Sequence, residues 1–154
     1  MKSPNIFTHN TGFTLVEVIL VIGILTMLGG FGLFISMDFY RGYSLRASRN
    51  TLVSTLHRAR SQSLSNIDQS PHGVRIEKTQ YTIFEGPTYA SRSAALDEVI
   101  GAEPTVTISA SSTLPIDIIF AQLDGSVAAS NTVAVGNGVK TYTISINNEG
   151  TIDW

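Results

Sequence analysis

The sequence predicts an α+β protein: a long N-terminal helix, with a transmembrane half and an amphipathic half, packed on an antiparallel β-sheet. Three observations carry this expectation. From Val18 to Ile35 the chain has no charged residue, and Thr26 is the only hydroxyl. After Asp38 the leucines return at helical spacing, with arginines between them. Beyond Pro71 short alternating segments are separated by turn residues.

Residues 1–12 are polar, contain Pro4, Asn5 and Asn10, and show no helical stripe, so they read as a leader peptide outside the mature fold. The apolar run that follows is about as long as the shortest helix able to span a bilayer. A helix satisfies its own backbone polar groups, which lipid requires. The run exceeds a signal-peptide core, and no small-x-small cleavage site follows it. Residues 13–37 are therefore expected to form a transmembrane or filament-core helix, with residues 38–154 as a globular head. The expected location is a single-pass cytoplasmic (inner) membrane protein with an extracytoplasmic head, later drawn into a filament. Lys2 is the only fixed positive charge in the leader, so charge bias gives weak orientation. Gly23, Gly29, Gly30 and Gly32 lie within the run. They allow close helix packing; alternatively, Gly29-Gly30-x-Gly32 is a weak point where the helix extends.

The second half of the helix is amphipathic. Leu45, Leu52, Leu56, Ala59, Leu64 and Ile67 form one apolar stripe, expected to dock on a sheet. Arg41, Arg46, Arg49, Arg58 and Arg60 are expected to face outward. Ser63, Ser65, Asn66 and Asp68 weaken helix propensity, and Pro71 ends the helix near residue 68.

Gly73–Glu77 and Tyr81–Glu85 alternate and are joined by Lys78-Thr79-Gln80, which predicts a hairpin. Residues 86–103 read as a long surface loop, and loops of that length are often functional. Thr105–Ala110 is rich in β-formers, and Ile116–Phe120 is apolar enough for a central strand. Asp124-Gly125 is a turn, with a return strand starting at Ser126. Asn137-Gly138 is the strongest hairpin signal, followed by the alternating strand Thr141–Ile146. Asn147–Gly150 turns the chain into a short final edge strand, Thr151–Trp154. One helix followed by antiparallel strands makes an α+β roll.

Glu17 is the anomaly, a carboxylate inside the start of the apolar run. A buried carboxylate needs a partner. Cutting after Gly12 would create an amine at Phe13, one helical turn away, able to offset Glu17 in the same chain or a neighbour. The stretch Gly12-Phe13-Thr14-Leu15-Val16-Glu17-Val18 resembles the class III signal of type IV pilins and type II secretion pseudopilins. That resemblance implies cleavage by a prepilin peptidase between Gly12 and Phe13, N-methylation of Phe13, and a role for Glu17 in registering subunits during filament assembly. A second resemblance spans most of residues 41–152. Ile119-Phe120, Asp124-Gly125, Tyr142–Ile146 and Glu149–Ile152 are similar in rhythm to the C-terminal domain of minor pseudopilins of the H group.

Composition sets further bounds. The net charge is -2, which argues against bulk attraction to nucleic acid. There is no cysteine, hence no disulfide and no thiolate metal site; many pilins carry such a disulfide. His9, His57 and His72 are isolated, and no catalytic or phosphate-cradling motif is present. Asp117, Asp124 and Asp153 match no metal loop and read as turn or solvated residues. No enzyme activity, cofactor or metal is expected. The expected function is a structural subunit of a type IV pilus or related filament, built by helix–helix packing. Its partners would be copies of itself or other pilins, the prepilin peptidase and the inner membrane. Two alternatives remain: a minor pseudopilin of a type II secretion system, and a filament-displayed DNA-binding or adhesive module. In the second, Arg41, Arg46, Arg49, Arg58 and Arg60 would contact phosphate; lipid headgroups and acidic neighbours are the competing roles.

Overall fold

The structure is a computed structural model that describes residues 12–154, without the side chains of residues 32–38. The expected leader, Gly12 apart, lies outside the described residues. The chain divides into two compact units, Met1–Phe39 and Tyr40–Trp154. Helix α1 covers Leu15–Leu64. Eight strands follow: β1 His72–Ile76, β2 Gln80–Glu85, β3 Glu98–Gly101, β4 Thr107–Ala110, β5 Ile116–Phe120, β6 Asn131–Gly136, β7 Thr141–Ile146 and β8 Ile152–Asp153.

The structure corrects the expected fold class in two respects. First, no helix among the described residues is long and apolar enough to cross a membrane. The apolar stretch with described side chains, Leu15–Phe31, covers about 25 Å at helical rise, against a hydrocarbon core of about 30 Å. The stretch 39–64 is interrupted by arginines. The single-pass membrane location, with residues 13–37 as its span, is therefore not supported. Second, the strands form two sheets rather than one. Their orders are β3-β2-β1-β5 and β4-β6-β7-β8, and the pairing within each is antiparallel.

Both sheets share one core with the second part of α1. Leu45, Leu52, Val53, Leu56 and Ala59 of the helix are buried with Val74, Ile76, Tyr81, Ile83, Ile118 and Phe120 of the first sheet. Val133, Val135, Ile144, Ile146 and Ile152 of the second sheet complete the same cluster. Burying each large aliphatic side chain contributes about 1.5–3 kcal/mol.

The helical stripe holds as far as Ala59 and then shifts. Ser63 takes the next inward place and is fully buried, while Leu64 and Ile67 are each 43% exposed. Ser63 Oγ accepts from the His72 N–H at 2.8 Å and lies 3.0 Å from the Phe120 carbonyl, to which it donates. One hydroxyl thus ties the helix end to β1 and β5. The helix stops at Leu64 because Asn66, Asp68 and Gln69 all adopt φ of 53°, a left-handed conformation that asparagine and aspartate tolerate.

The first hairpin pairs Gly73 with Phe84 and Ile76 with Tyr81. Gly73 is required by close approach, since a Cβ there would stand 2.6 Å from Phe84 Cζ. β5 lies at the edge of its sheet, not the centre as expected. The expected return strand at Ser126 is reduced to a single bridge between Phe120 and Val127. The expected surface loop 86–103 is more ordered than its composition suggested. It contains β3, which pairs with β2. Before β3, the Tyr89 ring stacks between the guanidinium groups of Arg75, 4.0 Å from its centroid, and Arg92, at 3.6 Å. Its edge meets Phe84 at 5.2 Å, and Arg92 pairs with Asp97 at 2.8 Å.

Candidate functional site

The residues singled out by the sequence fall into two groups. The first is the start of α1. Gly12 and Phe13 precede the helix, and Phe13 is 79% exposed. Thr14 is the residue before the first helical position, and its Oγ1 accepts from the Glu17 main-chain N–H at 3.3 Å. This is a helix N-cap, satisfying one of the N–H groups that the first turn leaves unpaired. Glu17 is the third helical residue, the position that completes a Thr-x-x-Glu capping signature. A carboxylate there also sits in the favourable field of the helix N-terminus. The Thr-x-x-Glu spacing of Thr14 and Glu17 is the sequence signal for this cap.

Apart from Glu17 and Thr26, this part of the helix carries only apolar side chains and glycines. From Phe13 to Phe31 every large apolar side chain is at least 46% exposed. Phe13, Glu17, Val18, Val21 and Ile22 line a shallow cleft of about 240 Å³. An added Cβ at Gly23, Gly29 or Gly30 would meet nothing within 4 Å. These small residues leave the helix surface open to close approach.

The second group is the arginine set. Arg58 forms an ion pair with Glu98. Arg60 donates to the Glu149 carbonyl at 3.0 Å and to that of Gly125 at 3.4 Å. Arg49 bonds Asn50 and lies over the Tyr142 ring at 4.8 Å. Arg41 and Arg46 are exposed, and the Arg41 carbonyl accepts from Asn137 Nδ2. The partners of these arginines are spread over β3, two turns and β7. Arg60 acts as a tie between turns.

Among the carboxylates, Asp117 lies 3.2 Å from Arg75, and burial pushes its carboxyl above the ordinary range despite that neighbour. Asp124 accepts from the Ser126 N–H and hydroxyl, which hold its carboxyl below the ordinary range. Among the described residues no group of three histidine or acidic side chains is placed to hold a metal ion.

No family model, no curated protein and no solved structure matches the chain.

Proposed function

We propose that the chain is a structural subunit of a type IV filament, cleaved between Gly12 and Phe13 by a prepilin peptidase. It is assembled by packing the first part of α1 against the same stretch of neighbouring copies. The observation that supports this reading is the helix from Leu15 to Phe31, whose large apolar side chains are all exposed and in which Glu17 is the one charged residue. A partner on one side would leave the other faces in water. A bundle of like helices covers every face, and each side chain so buried contributes about 1.5–3 kcal/mol. In such a bundle Glu17 needs a positive partner, and the amine freed at Phe13 of an adjacent copy has the right charge. The arginine set supports no nucleic-acid reading, because its best-held members contact carbonyls, an aromatic ring and Glu98 of the same chain.

The test has two arms. Mass spectrometry of the mature chain is expected to find Phe13 at the N-terminus. Glu17→Ala is expected to be cleaved normally but to give few or no filaments by electron microscopy. A mature chain still starting at Met1, or filaments of normal number from Glu17→Ala, would refute the proposal.

A further inference from the structure

The charged side chains of the second unit, Tyr40–Trp154, are sorted along its part of α1. In the middle they pair off: Arg58 with Glu98, Arg92 with Asp97, and Arg75 with both Glu77 and Asp117. The rest gather at two ends. Arg41, Arg46 and Arg49 lie on the first turns of α1 in this unit. The β6–β7 turn brings Lys140 beside them. Asn137 bonds the Lys140 carbonyl through its N–H at 3.1 Å and the Arg41 carbonyl through its side chain at 3.4 Å. The β1–β2 turn brings Lys78. Its Thr79 carbonyl accepts from the Ala102 N–H at 2.9 Å, and Ala102 lines one cleft with Ala47 and Ser48. Glu103, beside Ala102, is the one carboxylate of this unit left at that end.

The opposite end is acidic. Arg41 to Ser63 spans about 33 Å at helical rise. Asp68 follows the helix, and the Ser63 carbonyl accepts from the Leu123 N–H at 3.0 Å, which brings Asp124. Arg60 holds the Glu149 carbonyl at 3.0 Å. Ser63 Oγ accepts from the His72 N–H, and the strand partner of His72 is Glu85. Asp153 precedes Trp154, whose ring meets His57 at 5.6 Å. Arg60 is the one cation among these carboxylates, and its guanidinium is held by two carbonyls. The last turn of α1 has no basic residue, although a cation is favoured there. Like charges gathered in one place repel each other and weaken a compact fold. Neither end is therefore explained by the stability of the head itself.

We infer that the basic end of one head docks on the acidic end of a second copy of this chain. A two-fold contact through these ends would set like charge against like charge, because both subunits present the same patch. A head-to-tail contact sets unlike ends together, and repeated without closing it builds a filament rather than a dimer. Each exposed ion pair contributes only about 0.2–1 kcal/mol. The charged ends thus fix orientation and register, while the apolar part of α1 supplies most of the attraction. The inference rests on the reading of the chain as a filament subunit and adds where its heads touch.

Two arms test it. In the full chain, Arg46→Glu with Lys140→Glu reverses the basic end, and Asp68→Lys with Asp153→Lys reverses the acidic end; all these side chains are exposed. Either reversal is expected to cut filament number in electron micrographs about tenfold, because like charges then face each other. Both reversals in one chain are expected to restore it. In the second arm, a carbodiimide joins amines to carboxylates in a mixture of isotope-labelled and unlabelled chains. Peptide mapping is expected to find Lys140 or Lys78 of one copy linked to Asp68, Asp124, Glu149 or Asp153 of another. Reversals without effect, or no such links between copies, would overturn the inference. So would a loss at the basic end that reversing the acidic end does not repair, which assigns the basic end to a different anion. A chain that needs Glu17 but accepts every reversal loses this contact and keeps the filament reading. Should Glu17→Ala leave filaments normal, that reading falls, and the links between copies decide the contact by themselves.

Discussion

Gly150 lies so close to Gly125 that a Cβ on Gly150 would stand 1.9 Å from the Gly125 carbonyl oxygen. The two turns meet there, and Arg60 donates to carbonyls in both. Gly150 also has φ of 73°, a conformation that costs an L-residue about 1–2 kcal/mol. Gly150→Ala is therefore expected to lower unfolding free energy by more than about 3 kcal/mol, since strain and collision act together. Gly138 has φ of 82° but open space around it. Gly138→Ala should cost only the conformational part, about 1–2 kcal/mol. Urea denaturation of both variants decides this; equal losses would mean that the contact between the turns is relaxed in solution.

The N-cap at Thr14 separates two roles near Glu17. Thr14→Ala removes the acceptor of the Glu17 N–H and is expected to destabilise the helix start by about 1 kcal/mol. Hydrogen exchange of the amides of the first helical turn should speed up about fivefold, which follows from that energy. Glu17→Ala leaves the Thr14 bond in place and should affect assembly far more than amide exchange. If Thr14→Ala suppressed filaments as strongly as Glu17→Ala, helix capping would account for both effects.

Tyr81 gives a pH signature. Burial raises its phenol from 10.0 to about 12. Because the folded value lies above the unfolded one, the unfolded chain loses this proton first as pH rises. The associated stability is whole below pH 10 and is lost progressively up to about 12, a change of about 2–3 kcal/mol. Tyr81→Phe should lack this component, so its denaturation midpoint should fall less over the same alkaline range. Identical pH profiles for the two chains would show that the phenol is open to solvent.

The stack of Tyr89 between Arg75 and Arg92 pins the segment that precedes β3. Tyr89→Leu removes two cation–π contacts, each worth about 0.5–2 kcal/mol, and the edge contact with Phe84. The segment should then open locally, and trypsin should cut after Arg92 several times faster than in the unaltered chain. Unchanged cleavage would show that β3 pairing alone holds the segment.

Residues whose neighbours in sequence are also their neighbours in space were easy to read. The alternation of Val74 and Ile76, and of Tyr81 and Ile83, belongs to one hairpin, and Asn137-Gly138 joins β6 to β7. The inward stripe from Leu45 to Ala59 follows from helical spacing alone. What escaped depends on distant partners. Glu98–Gly101 is short and bounded by charges, and becomes a strand because β2 offers it an unpaired edge. The division into two sheets is set by which strands pair, and no local pattern encodes that. Ser63 reads as a helix breaker, yet it is the inward residue because His72 and Phe120 bring it a donor and an acceptor. At the candidate site, Gly12, Phe13 and Glu17 stand in one contiguous motif, and the Thr14 cap lies within the same stretch of sequence.

The tie from Arg60 to the Glu149 carbonyl spans 89 residues, and Ile152 belongs to the same core as Leu52. On a ribosome adding about 5–20 residues each second, the helix would emerge on the order of ten seconds before the strand that closes over it. During that interval the inner leucines lie open. Exposed apolar surface on an unfinished chain is prone to association, so the order of synthesis leaves the greasy flank of this helix open until translation brings the last turn within reach.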